Sequence, residues 1–138
     1  MKNKRPSVYV YPAIFTPEKH GKFSIRFPDI EGCFTCGDTI EDGMMMAKDA
    51  LALSVYSNYE EQGKAAPEST PINKIKLVKD EFVTYVVCDT AYYRRQFGTR
   101  AVKKTLTIPE WLNEAAMEEN INFSQVLQEA LKNKLNVN

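Results

Sequence analysis

The 38 residues from Ala101 to Asn138 constrain this chain most: they carry the pattern of a separate module without the means to close one. Val102-Lys103-Lys104-Thr105-Leu106-Thr107-Ile108 alternates as a strand does, with Leu106 and Ile108 on one face and Lys103, Thr105 and Thr107 on the other. Pro109 cannot extend a ladder but suits the first turn of a helix, here expected to reach about Asn120. Leu112, Ala115 and Ala116 follow at helical spacing, with Ile121 beyond the helix end. Asn122-Phe123-Ser124 caps a second helix to about Leu135, with Val126, Leu127, Ala130, Leu131 and Leu135 as its apolar face. Modules below about 40 residues need a metal, a disulfide or a partner. None of the three cysteines lies in this stretch. A second copy is the remaining remedy. Two such strands pairing antiparallel satisfy each other's backbone, and the expected dimer contact falls on Val102, Leu106 and Ile108.

The remainder reads as one α+β domain. Ser7 to Phe15 is a β-branched and aromatic run, and Pro12 points to an edge or bulged strand. His20-Gly21 is a turn. Phe23, Ile25 and Phe27 alternate with Ser24 and Arg26, which completes a hairpin, and Cys33 to Cys36 fits a short third strand. Thr39 with Asp42 forms a helix cap. Ile40, Met44, Ala47, Leu51 and Val55 trace one helical face that should end near Gly63. Ile72 to Val78 and Phe82 to Cys88 read as a second hairpin. Thr90 to Arg100 matches neither period cleanly and reads as a linker, in part helical. The expected division is therefore 1–89, a linker over 90–100, and 101–138.

Charge adds a second constraint. Eighteen basic and eighteen acidic residues cancel, but they are not mixed. Asp29 to Glu61 holds eight acidic residues against Lys48 alone, and Arg94 to Lys104 holds five basic residues and no acidic one. That separation points to two different partners. No apolar run approaches the roughly 18 residues of a membrane helix. The basic start, Met1 to Pro6, is followed by no apolar secretory core. Three cysteines without such a signal fit reduced thiols and a cytoplasmic protein.

Catalytic patterns are weak. Cys33-Phe34-Thr35-Cys36 is a C-x-x-C pair, to which Cys88 and His20 would have to be added for a zinc site. On a strand, positions 33 and 36 fall on opposite faces, so buried thiols are the simpler reading. The scattered aspartates Asp29, Asp38, Asp42, Asp49 and Asp89 hint at a metal-dependent nuclease, but acids near a helix start simply suit its dipole. There is no glycine-rich phosphate loop. The reading is a non-enzyme with no cofactor and no metal.

The C-terminal succession of strand, proline and two amphipathic helices resembles the ribbon-helix-helix family of DNA-binding proteins. That resemblance implies paired strands in the major groove. By position, Lys103, Thr105 and Thr107 then face the bases, and the second helix offers N–H groups at Phe123 and Ser124 to a phosphate. Lys104 departs from the pattern, since it shares the buried face, and is expected to snorkel to a phosphate. Arg94, Arg95 and Arg100 would add phosphate attraction. A bare dimerisation module is the alternative.

A second resemblance comes from Tyr11-Pro12-Ala13-Ile14-Phe15, from the run Phe27-Pro28-Asp29-Ile30-Glu31-Gly32-Cys33-Phe34-Thr35-Cys36-Gly37-Asp38-Thr39-Ile40-Glu41-Asp42, and from the Ala47 to Leu51 helix. These segments resemble the HicB antitoxin family. The resemblance implies a partial ribonuclease-H-like sheet with one long helix, joined to a ribbon-helix-helix module. It implies as partners a HicA-like mRNA-cleaving toxin of double-stranded-RNA-binding-like fold, operator DNA, and a second copy of the chain. The acidic stretch would dock on the toxin's basic face, with no residue assigned to that contact. The alternatives are a stand-alone repressor sensing a small ligand and a ribonuclease-H-like nuclease.

Overall fold

A computed structural model describes residues 6–137, so the basic Met1 to Arg5 stretch and Asn138 lie outside the described residues. Contacts divide the chain into two compact units, Met1–Arg100 and Ala101–Asn138.

The first unit is a four-stranded antiparallel sheet with a long helix on one face. Its strands are β1 (Val8–Pro17), β2 (Phe23–Arg26), β3 (Phe34–Gly37) and β4 (Phe82–Asp89), in the spatial order β3-β2-β1-β4. The β1–β2 connection turns at His20 and Gly21, with φ of 64° and 74°. Strand alternation then sorts the side chains. Tyr11, Ala13 and Phe15 of β1 lie in one core with Ile25 and Phe27, with Val86 and Cys88, and with Ala47, Leu51 and Val55. The last three belong to helix α1 (Ile40–Val55).

Helix α1 starts where its cap dictates. The Thr39 hydroxyl accepts from the Asp42 N–H at 3.0 Å, and the Asp42 carboxylate accepts from the Asp38 N–H at 2.9 Å. Two otherwise orphaned donors are thereby satisfied. The expected apolar face is buried at Ala47, Leu51 and Val55, but Ile40 is exposed and Met44 half-buried. The reason is a close approach at the first turn. A Cβ on Gly37 would lie 2.4 Å from the Gly43 Cα, so β3 and α1 meet backbone to backbone. The helix continues as a π-helical turn, Tyr56–Glu60, and the chain turns away at Gly63 with φ 68°.

Three expectations need correction. First, β1 is an interior strand, not an edge, and Pro12 is fully buried within it. It is tolerated because β2 pairs only with Ile14 to Pro17, so at Pro12 the strand is laddered on the β4 side alone. Second, Ile72 to Val78 is not a strand. Ile72–Lys74 is a 3₁₀ turn, and the backbone is satisfied by side chains instead. The Ile72 N–H donates to the Tyr85 hydroxyl at 3.3 Å and the Val78 N–H to Glu81 at 3.0 Å. Glu81 also binds Arg26 at 2.7 Å and Thr16 at 2.8 Å; led by Arg26, these bonds hold its carboxyl down at about 2. Third, the partly helical 90–100 stretch is not a linker but packs as part of the first unit. It contains helix α2 (Ala91–Phe97), whose Tyr93 ring stacks on Tyr56 at 6.2 Å and on Phe97 at 6.1 Å.

The second unit holds helices α3 (Glu110–Glu118) and α4 (Phe123–Leu135). Residues 101–109 are neither helical nor laddered in the single chain, where a strand was expected. A strand is defined by its hydrogen-bonded neighbour, and among the described residues this unit has no second strand to supply one.

Candidate functional site

The second unit presents an unusual surface for its size. None of its described residues is buried. Val102, Leu106 and Ile108 are 78%, 63% and 46% exposed. Trp111, Leu112 and Met117 of α3 and Val126, Leu131 and Leu135 of α4 are exposed as well. Each helix is nonetheless well terminated. The backbone C=O of Pro109 accepts from the N–H groups of Leu112 and Asn113, each at 3.1 Å, and the Asn122 side chain accepts from the Gln125 N–H at 3.0 Å. Left-handed Asn120 and Asn136 close the two ends. Defined helices with uncovered apolar faces mark a candidate interaction surface.

The nominated base- and phosphate-facing residues all sit on this surface. Lys103, Lys104, Thr105 and Thr107 are exposed in the segment before α3, and Phe123 and Ser124 open α4. The α4 cap engages Gln125, not the first two N–H groups. The Ser124 hydroxyl accepts from Gln128 at 3.2 Å.

In the first unit the charge map changes once side chains are placed. Glu60 lies in the acidic stretch, but its side chain is only 3% exposed. It accepts from Tyr9 at 2.7 Å, from Thr90 at 2.8 Å, and from Arg94 through Nε at 2.7 Å and Nη2 at 2.6 Å. Arg94 also donates to the Pro6 carbonyl. Burial alone would push the Glu60 carboxyl up; the bonds from Arg94, Tyr9 and Thr90 outweigh it and hold the carboxyl below its ordinary range. Arg94 is therefore a structural cation, not one of the phosphate-attracting charges of the joint; Arg95 and Arg100 remain exposed. Asp29 is likewise engaged, accepting from the Thr70 N–H and hydroxyl at 2.9 and 2.5 Å. The acids left at the surface are Glu31, Asp38, Glu41, Asp42, Asp49 and Glu61.

Sequence reasoning missed the Glu60 cluster because Tyr9, Thr90 and Arg94 each lie 30 or more positions from Glu60. One signal was present: Tyr93 and Phe97, four apart after Thr90, mark a helical face.

The cysteines lie apart in environment. Cys33 and Cys88 are buried and Cys36 is exposed. Burial pushes the Cys33 thiol up, and the Cys88 thiol up to about 12, which makes both poor nucleophiles. Among the described residues no three His, Cys, Asp or Glu side chains converge as metal ligands. No described helix is long and apolar enough to cross a membrane.

Comparison with known proteins extends over both units. Residues 11–132 match the family described as HicB-like antitoxin of bacterial toxin–antitoxin systems. The antitoxin HicB of Escherichia coli K12 is 36% identical over 63 residues, 46% of this chain and 45% of that protein, so the match spans less than half of either. An uncharacterised 14.9 kDa protein of Haemophilus phage HP1 is 29% identical over 106 residues, 75% of each chain. A solved chain from a toxin–antitoxin complex of Streptococcus pneumoniae superposes with a TM-score of 0.59 at 27% identity, covering 92% of this chain and 99% of that one.

Proposed function

The chain belongs to the HicB-like antitoxin family, and on that premise we propose that it neutralises a HicA-like ribonuclease and represses its own operon as a ribbon-helix-helix dimer. The observation that carries this reading is the reach of the family match, residues 11–132, across the sheet unit and both helices of the second unit. The first unit is then the partial ribonuclease-H-like, toxin-binding half, and it acts by covering the toxin and not by catalysis. The second unit is the dimerising, DNA-reading half. Its lack of any buried described residue supports a module completed by a second copy. Antiparallel pairing of 101–108 with its copy supplies the missing ladder, covers Val102, Leu106 and Ile108, and turns Lys103, Thr105 and Thr107 outward to the major groove. The α4 N-terminus at Phe123 and Ser124 offers N–H groups to a phosphate, and Lys104 reaches a second one from the strand end. Both activities belong to the cytoplasm.

Co-expression with the HicA-like protein encoded beside it tests the first half. Growth arrest by the toxin should be relieved and the two proteins should co-purify; failure of both would favour a ligand-sensing repressor. For the second half, Lys103→Ala should weaken operator binding by roughly 10-fold or more and relax base preference at one position per half-site. Unchanged affinity in a gel-shift titration would remove Lys103 from the DNA face.

A further inference from the structure

We propose that the solvent face of α1 is the surface on which the ribonuclease partner docks, through its basic RNA-binding face. The inference rests on the antitoxin reading above and assigns that contact to Glu41, Asp42, Met45, Met46, Asp49 and Leu53.

The six residues share one side of the helix. Glu41, Met45, Asp49 and Leu53 follow at intervals of four, and Asp42 and Met46 flank them on the adjacent row. All six are exposed, Met45 at 69%, Met46 at 42% and Leu53 at 45%. Single exposed apolar residues are ordinary, but three large ones on one helical face are a patch. Two are methionines, whose unbranched side chains adapt to a partner's shape. The acids need a reason too. Glu41 and Asp42 sit in the first turn, where the helix dipole favours them, but Asp49 lies mid-helix and gains nothing there. Lys48 is the only cation on α1.

The partner's chemistry matches this surface. A protein that cleaves RNA must attract a polyanion, so its substrate face is cationic. Carboxylates around an adaptable apolar centre steer such a face in and exclude RNA from it. The open face of the sheet is the competing surface. It exposes Val8, Val10, Tyr85 and Val87, with Asp89 as the carboxylate at that end. The acids at its other end are engaged within it, Glu81 by Arg26 at 2.7 Å and Glu18 by Ser24 at 3.0 Å, so the face offers little free carboxylate to a cationic partner.

The test uses the full chain and the purified HicA-like ribonuclease of the same operon, with binding followed in real time at several salt concentrations. Glu41→Lys with Asp49→Lys should slow association about 10-fold and flatten its dependence on salt. Met45→Ala with Leu53→Ala should speed dissociation about 10-fold. Both pairs should stay folded because every altered side chain is exposed, with Glu41→Lys lowering the melting midpoint by only a few degrees where it opposes the helix dipole. Val87→Lys on the sheet face should bind as the parent does. Parent-like binding by both α1 variants, or loss of binding confined to Val87→Lys, overturns this inference while the antitoxin reading stands. No binding by the parent chain overturns both.

Discussion

Arg94→Ala should lower the thermal midpoint of the first unit by roughly 10 °C or more at neutral pH, the largest stability loss expected from any half-exposed charged residue here. The reason is what remains behind. The Glu60 carboxylate, 3% exposed, would keep its bonds from Tyr9 and Thr90 but lose the bidentate Arg94 charge. Breaking a buried ion pair from one side costs about 3–5 kcal/mol. The Arg94 side chain is 26% exposed, so water screens part of the pair and about 2–3 kcal/mol is the fitting expectation. The pH dependence separates this cause from lost packing. In the parent, Glu60 has a folded-state pKa below its unfolded one, so the cluster stabilises fully above the unfolded carboxyl pKa and fades as pH falls through the folded value. In the variant, burial is no longer outweighed by Arg94, and the Glu60 pKa rises. A raised carboxyl pKa favours the folded variant at low pH and costs it stability as pH rises. The gap between parent and variant should therefore be wide at pH 7 and narrow toward pH 4. A gap of constant width across that range would attribute the loss to the arginine stem instead.

The cluster also marks where sequence reading stops. Local chemistry was legible: Phe23, Ile25 and Phe27 against Ser24 and Arg26, the Thr39–Asp42 cap, and Ala47, Leu51 and Val55 at helical spacing all lie where short-range rules put them. What failed needed a partner far along the chain. Pro12 reads as an edge residue until one knows that β2 stops short of it. Ile72 to Val78 reads as a strand until the Tyr85 hydroxyl, 13 positions on, takes the Ile72 N–H. Glu60 reads as surface acid until Arg94, 34 positions later, reaches it. The candidate DNA face is a different case. Its alternation is plain in the sequence, but a single chain buries neither side of it, since Lys103, Lys104, Leu106 and Ile108 are all exposed. In the proposed dimer, which side is interior is decided between two copies, so it lies beyond any one chain.

Leu106→Asp puts that decision to the test and should convert a dimer to monomers, with operator affinity falling at least 100-fold. Leu106 lies on the same alternation as Val102, Lys104 and Ile108, the side that pairing would cover. Burying a leucine is worth about 1.5–3 kcal/mol, and a symmetric ribbon buries two. The two aspartates would enter the same covered seam and add like-charge repulsion in a drying interface. The helices should suffer with it. Helices of 9 and 13 residues are marginal alone, since isolated helices below about 12–15 residues seldom hold in water. Far-UV circular dichroism should therefore lose helical signal in the full chain while the sheet unit keeps its own melting transition. Thr107→Ala, on the opposite side, should keep the dimer and weaken only DNA binding. Light scattering and gel shift on the two variants distinguish the alternatives. If Leu106→Asp stays dimeric but loses the operator, while Thr107→Ala falls apart, the alternation is inverted. Lys104 then faces the bases and Lys103 the interior, which is the one arrangement that would remove the need for Lys104 to snorkel.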